Sequence, residues 1–317
     1  MKNIYQKTLL TSVGFEGIAL HSGRKSNIKI YPGKENSGII FKRIDLKKNN
    51  LVEAIYSNVS SAKLCTTIEN DHGVKVSTIE HLLAALYLAD IDNAIIEVDT
   101  DEVPIMDGSA KVFLDVLKKS KIIELKAKRK FLKIDKKIEL VDGQRTISLE
   151  PNDETLEVEF QLNYKNQIIG NQKNIINFDR DNFNDVYESR TFCLYNDIEK
   201  IKQAGLAKGG SLDNAIVVGE IKVLNENGLR NSKEFVNHKI LDLVGDFLLS
   251  GYRILGKVKC YQGGHELTNK FLRKMLDIKL DSKKTKATSS RIPENLNIAK
   301  SLKLAVNAWF KFLIYYF

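Results

Sequence analysis

His238-Lys239-Ile240-Leu241-Asp242-Leu243-Val244-Gly245-Asp246 is the stretch from which this chain is best read. Its apolar residues run on into Phe247, Leu248 and Leu249, which predicts a long, largely buried helix over 233–249. Within it His238, Asp242 and Asp246 recur four apart and share one ridge. A solvated polar face is the ordinary explanation for such a ridge. The apolar neighbours argue against it, because buried imidazole and carboxylate groups need partners. An imidazole and a carboxylate one turn apart are suited to a divalent metal, so the helix is read as metal-binding or catalytic.

Other segments supply what that helix lacks. Ser77-Thr78-Ile79-Glu80-His81 opens a helix expected over 77–88, with Ser77 and Glu80 at capping-box spacing and Ile79, Leu82, Leu83 and Leu86 as its core stripe. Taken alone, Glu80 is a capping residue and His81 an interior histidine. Yet His81 lies off the stripe beside the small Ala84 and Ala85, where a second body has room to approach. A hydrolytic zinc also needs a third protein ligand and one position left for water. His265 ends the run Gln262-Gly263-Gly264-His265 between a strand and a helix, where glycine permits sharp turning and close approach. In the loop-like Arg190-Thr191-Phe192, the Thr191 hydroxyl has the chemistry to hydrogen-bond an oxyanion. These pieces read as a zinc hydrolase.

With 317 residues, 43% apolar and 28% charged, the chain is soluble globular material with enough apolar content for two cores. The net charge of +9 favours an anionic partner. Its basic residues are scattered among acidic ones without a basic helix or an aromatic platform, so nucleic acid is not the expected partner. Cys65, Cys193 and Cys260 are isolated, which excludes a CxxC thiolate site and fits a reducing compartment. The N-terminal residues form no signal peptide, and no segment offers about 20 uninterrupted apolar residues, so a cytoplasmic location is expected.

Short strands are expected at 9–15, 27–31, 38–42 and 94–98, followed by a helix over 110–119. The charged stretch 125–130 reads as a join. Beyond it the plan restarts with strands at 131–134, 146–149 and 156–162, the long helix, a strand at 253–261 and a helix over 266–276. The expected fold is α+β in two domains, 1–126 and 127–280, with a polar linker and an aromatic-rich tail over 281–317. That tail carries Trp309, Phe310, Phe312, Tyr315, Tyr316 and Phe317, interrupted by Lys303, Asn307 and Lys311. It suits an interfacial amphipathic helix, a docked terminal helix or a degradation signal.

Eight ordered segments carry a family resemblance: Gly17-Ile18-Ala19-Leu20-His21-Ser22-Gly23, Ser77-Thr78-Ile79-Glu80-His81-Leu82, Ile91-Asp92-Asn93, Pro104-Ile105-Met106-Asp107-Gly108-Ser109-Ala110, Ser189-Arg190-Thr191-Phe192, Gly209-Gly210-Ser211, the 238–246 run, and Gly264-His265. Together they resemble the UDP-3-O-acyl-N-acetylglucosamine deacetylase family, the zinc amidases of the lipid A pathway. The resemblance extends over almost the whole chain before about residue 280. It implies two βααβ sandwich-like domains with the active site at their interface. Zn2+ (or Fe2+) is then held by His81, His238 and Asp242. Glu80 is the implied base for the attacking water, and Thr191 and the metal hold the oxyanion. His265, oriented by Asp246, stabilises charge and returns a proton to the departing amine.

The same resemblance implies substrate contacts from Lys239, Phe192, Leu64 and Tyr164, the last stacking on uracil. It places an acyl passage along Ile198, Ala207, Ser211, Ala215 and Val217. Many relatives carry lysine where this chain has Gln262. The implied partner is a UDP-linked acyl-glucosamine; the aromatic tail matches no motif of that family, and its combination of aromatics with lysine is what suggests peripheral contact with the inner membrane, on a chain expected to be a monomer. Two alternatives belong to other classes: a basic nucleic-acid binder, and a non-catalytic protein clamped by zinc. The clamp is disfavoured because closed structural sites use four protein ligands and three are evident.

Overall fold

The computed structural model describes residues 4–289, with side chains through residue 278. Two five-stranded sheets form its frame. The first runs, edge to edge, Val13–Ile18, Lys25–Pro32, Ala94–Val98, Ile39–Arg43, Leu51–Glu53. The second runs Ile138–Asp142, Arg145–Glu150, Gly256–Tyr261, Leu156–Asn163, Asn171–Asn177. The two orders correspond strand for strand. In each, the strand latest in sequence sits at the centre, antiparallel to one neighbour and parallel to the other. Strands such as Leu156–Asn163 bury alternate residues, as expected where one face meets a core.

Among the described residues there are six α-helices: α1 (Glu80–Leu88), α2 (Lys111–Lys119), α3 (Asn184–Tyr187), α4 (Tyr195–Gln203), α5 (Glu234–Leu248) and α6 (His265–Ser289). A parallel strand pair needs a long crossover. In the first sheet that crossover contains α1 and in the second it contains α5. The two helices pack along each other, so corresponding elements of the two halves meet. Both are deeply covered nearly all round: Glu80 to Leu86 are buried in α1, and every residue but Lys239 in α5. Gly245 permits the contact, because a β-carbon there would overlap the Glu80 carbonyl. The small residues beside His81 serve the same approach, with Ala84 backbone next to Gly245.

A largely buried charge cluster also links residues of the two halves. Arg253 reaches Asp92 at 3.1 Å and the carbonyls of Tyr87 and Ile91 at 2.9 and 3.1 Å. Arg129 pairs with Asp92 at 2.8 Å and Asp90 at 2.6 Å. The Ile91-Asp92-Asn93 motif is thus structural, with the Asn93 carboxamide also accepting the Gly38 N–H at 2.9 Å.

Several boundaries differ from the sequence expectation. The strand expected at 9–15 is two strands, Tyr5–Leu9 and Val13–Ile18. The charged join at 125–130 lies mostly in a strand, Ile122–Lys128, paired antiparallel with Tyr5–Leu9. Half-buried Leu125 and Ala127 alternate there with exposed Lys126 and Lys128, and an edge strand tolerates such charge. The linker expected after 281 continues α6 as far as Ser289, since lysine and alanine propagate a helix and no glycine or proline interrupts it. The aromatic tail lies outside the described residues. Among those described, no helix is long and apolar enough to cross a membrane. Both sheets fall within one compact unit that ends at Lys274.

Candidate active site

Where α1 meets α5, two imidazoles converge on one carboxylate oxygen. His81 Nε2 lies 3.5 Å and His238 Nε2 3.3 Å from Asp242 Oδ1. Ligand atoms of these three buried residues all lie within 4.8 Å of one another. Asp242 Oδ1 and His81 Nδ1 have no hydrogen-bond partner in this buried setting. An unpaired buried carboxylate oxygen is costly, and a cation among the three donors removes that cost.

The protonation states agree. His238 Nδ1 sits 3.0 Å from the Ser189 carbonyl, to which it donates, leaving the Nε2 lone pair facing Asp242. Burial drives the His238 pKa down to about 3, so the ring is neutral, as a ligand must be. Burial works to raise Asp242, but the Lys239 ammonium and the His265 imidazolium beside it hold its carboxyl well below the usual range. The donor set fits a divalent metal ion.

Beside this cluster stands a second group whose members satisfy one another. Glu80 Oε2 accepts the Thr66 N–H at 3.0 Å, and Oε1 faces His265 Nε2 at 3.6 Å. His265 Nδ1 lies 2.8 Å from Asp246 Oδ2, and Asp246 Oδ1 accepts the Thr66 hydroxyl at 2.7 Å. His265 Nε2 is also 3.8 Å from Asp242 Oδ2, which links the two groups. Burial disfavours a charged His265, but the carboxylates of Asp246, Glu80 and Asp242 lift its pKa to about 10. The imidazolium is therefore the resting form near neutral pH. Burial also raises the Glu80 pKa, which makes it a stronger base than a solvated carboxylate.

Local backbone geometry aims these groups. The capping box expected between Ser77 and Glu80 does not form: α1 begins at Glu80 with no side-chain cap. Thr78 takes a left-handed φ of 57° and bonds Glu102 at 3.0 Å, which swings Ser77 out of line with the helix. Ser77 donates instead to the Asp101 carbonyl, and the Glu80 carboxylate turns to Thr66. His265 opens α6, and Gly263 before it has no room for a β-carbon, which would overlap Cys260 Sγ.

Thr191 lies outside regular secondary structure, as expected, whereas Phe192 opens a strand: Phe192–Leu194 pairs parallel with Ile216–Val218. The Phe192 ring lies 6.3 Å from that of His238, 5.0 Å from Phe235 and 6.1 Å from Tyr164. Lys239 Nζ stands 5.4 Å over the Phe192 ring and bonds Asp242 Oδ2 at 2.8 Å. Burial works to lower the Lys239 pKa, and the attraction of Asp242 overrides it, raising the value above the usual one. Of the residues expected along the acyl passage, Ala215 and Val217 are buried, Ile198 and Ala207 half-buried, and Ser211 exposed. A cavity of about 840 Å³ beside Cys65 is lined by Leu64, His21, Ile201 and Leu206, but by none of those five. Another, of about 570 Å³, is lined by Tyr87, Phe178 and Arg253 and contains no group of this site.

Three contributors had no signal in the sequence. Thr66 lies in Leu64-Cys65-Thr66-Thr67, which has no informative spacing. The Ser189 carbonyl is a backbone group. Glu234, fully buried, binds the Arg190 guanidinium at 2.8 Å and its N–H at 3.1 Å, pinning the Ser189–Phe192 segment to the start of α5. At Gln262, where the family resemblance places lysine, the side chain accepts the Asn163 N–H at 3.0 Å and donates to the Asn163 carbonyl.

A family model for UDP-3-O-acyl N-acetylglycosamine deacetylase (LpxC) matches residues 6–277. The UDP-3-O-acyl-N-acetylglucosamine deacetylase of Pseudoalteromonas translucida is 42% identical over 276 residues, covering 86% of this chain and 91% of its own. That of Aliivibrio fischeri is 42% identical over 276 residues, covering 86% and 90%. That of Mannheimia succiniciproducens is 42% identical over 278 residues, with the same 86% and 90%. With the match spanning both sheets and every group of the site, this chain belongs to the UDP-3-O-acyl N-acetylglycosamine deacetylase family.

Proposed function

We propose that this protein hydrolyses the acetamide of UDP-3-O-acyl-N-acetylglucosamine, releasing acetate and the free amine, as the committed step of lipid A biosynthesis. The observation that carries the reading is the junction of α1 and α5. An unsatisfied donor set of His81, His238 and Asp242 lies there against a protonated His265 and a buried Glu80. Those three donors are proposed to hold Zn2+, with Fe2+ as the competing ion. When bound, such a cation supplies Lewis acidity toward the amide carbonyl and the attacking water.

The remaining work falls to the chain's own groups. Glu80 takes the proton of the water as it attacks the carbonyl carbon. The Thr191 hydroxyl donates to the oxygen on which negative charge develops. His265, held by Asp246, balances that charge and passes its Nε2 proton to the amine as the C–N bond breaks. Lys239 neutralises Asp242 and, with Phe192, borders the sugar side. Tyr164 stacks on the uracil base. Leu64 adds a further substrate contact, and the line Ile198, Ala207, Ser211, Ala215 and Val217 takes the acyl chain.

We further propose a cytoplasmic monomer whose two domains divide near residues 126 and 127, with a tail after 281 that touches the inner membrane peripherally. Deleting 302–317 is expected to weaken binding to anionic vesicles, and unchanged binding rejects the membrane role. The test of the main reading is metal analysis of the purified protein together with acetate release from the UDP-acyl-sugar. Stoichiometric metal without acetate release overturns it.

A further inference from the structure

Glu80, His265, Asp246 and Thr66 form a ring of three hydrogen bonds, closed by the Glu80–His265 ion pair at 3.6 Å. Each carboxylate gives one oxygen to His265 and the other to Thr66: Glu80 uses Oε1 and Oε2, Asp246 uses Oδ2 and Oδ1. Thr66 reaches both with different donors, its N–H toward Glu80 and its hydroxyl toward Asp246. It is buried, so water does not compete for either bond. Both bonds run from a neutral donor to a carboxylate, a strong and directional kind of hydrogen bond.

Resting on the deacetylase reading above, we propose that Thr66 is the positioning residue of the acid–base pair. It holds the base Glu80 and the orienting carboxylate Asp246 at fixed separation on either side of His265. The argument is one of degrees of freedom. A carboxylate bonded through one oxygen pivots about that bond, whereas one bonded through both oxygens to partners at fixed positions does not. Thr66 supplies the second point for both carboxylates, which come from different helices, α1 and α5. Without its hydroxyl, Asp246 Oδ1 is left buried and unpaired, and the carboxylate must turn to find a donor. The Nδ1 bond that aims His265 Nε2 toward Glu80 then turns with it. The N–H and hydroxyl of Thr66 bond Glu80 and Asp246 and none of the three metal donors, so metal content is expected to be separate from its effect.

The experiment compares Thr66→Val, which removes the hydroxyl at constant shape, with Thr66→Ser, which keeps it. In Thr66→Val, kcat is expected to fall about 10- to 100-fold, the usual cost of losing an outer-shell partner, with KM within about two-fold and metal content unchanged. Thr66→Ser is expected to recover kcat to within about three-fold of the parent, on the same principle. In a double variant with Asp246→Asn, the loss from Thr66→Val is expected to vanish, since the two act through one bond. A readout that needs no turnover is the low-field imidazole proton of His265 Nδ1 in NMR spectra. It is expected to shift in Thr66→Val and to stay in Thr66→Ser. An unshifted resonance with unchanged kcat in Thr66→Val overturns the proposal, as does an equal kcat loss in the valine and serine variants. Absence of acetate release by the parent protein condemns the deacetylase reading instead, and the NMR comparison still decides whether Thr66 sets the ring. Should Thr66→Val not fold, Thr66→Ala provides the same comparison.

Discussion

The two halves of the site, a few ångströms apart, solve the problem of buried charge in opposite ways. The acid–base ring is closed: every polar atom of Glu80, His265 and Asp246 that faces inward has a protein group opposite it. The donor cluster is open, with Asp242 Oδ1 and His81 Nδ1 lacking hydrogen-bond partners. A folded protein tolerates a buried unpaired carboxylate oxygen rarely, because the loss of its hydration is uncompensated. The difference teaches that one half is pre-organised by the chain alone, while the other presents an unsatisfied donor set consistent with a metal ion.

The largest expected effect tests the open half. Asp242→Ala should abolish stoichiometric metal binding and acetate release together, measured by elemental analysis and product assay. Removing metal from the parent by chelation should lower its melting temperature, and adding metal back should restore it, whereas Asp242→Ala should show neither response. A parent protein whose melting is indifferent to chelation breaks the comparison.

Next comes the closed half. Glu80→Gln keeps the shape and a hydrogen-bonding oxygen but removes the base. Turnover should fall about 10²- to 10⁴-fold while metal content stays at the parental level. Loss of metal in that variant would merge the two halves into one. Arg190→Met removes one partner of the fully buried Arg190–Glu234 pair and leaves Glu234 uncompensated. Its expected cost is about 3–5 kcal/mol of folding stability in urea denaturation, because the remaining charge cannot be hydrated. The smallest effect is at the half-exposed Gln262, whose two bonds to Asn163 water can replace. Gln262→Lys loses the acceptor for the Asn163 N–H and should cost no more than about 1 kcal/mol by the same measurement. A larger loss would show that an exposed pair here behaves like the buried ones.

Four of the six described helices were legible, whereas the short α3 and the exposed α4 were not expected. The apolar run around His238 gives α5 to within a residue of its observed ends, because a buried helix advertises itself through continuous apolar neighbours. The strand at Ala94–Val98 was equally plain. Ser77 was misjudged because capping spacing does not reveal that Thr78 adopts a left-handed backbone conformation. The 125–130 stretch was misjudged because lysine on an edge strand resembles lysine in a loop. The 282–289 stretch was misjudged because polar low complexity does not preclude a helix.

In the site, His238 and Asp242 were legible as neighbours because a helix places residues four apart side by side wherever it lies. Asp246 followed from the same ridge, and Glu80, His81 and His265 stood out from their local sequence; the resemblance added their roles, and the fold brings all of them together. Thr66 was invisible: its two donors matter through where they point, and nothing in its neighbours along the chain encodes that.

The amino-acid sequence by itself determined the covalent order of the motifs, the periodicity of α5, the burial of its polar ridge and the family to which the chain belongs. Only the tertiary structure decided that Gly245 lets α1 lie against α5, that Asp242 Oδ1 stays unpaired between two imidazoles, and that Thr66 closes a ring around His265. The physical reason is range. Helical periodicity acts over a few residues, whereas the electrostatics of a buried site depend on which distant groups replace water around each charge.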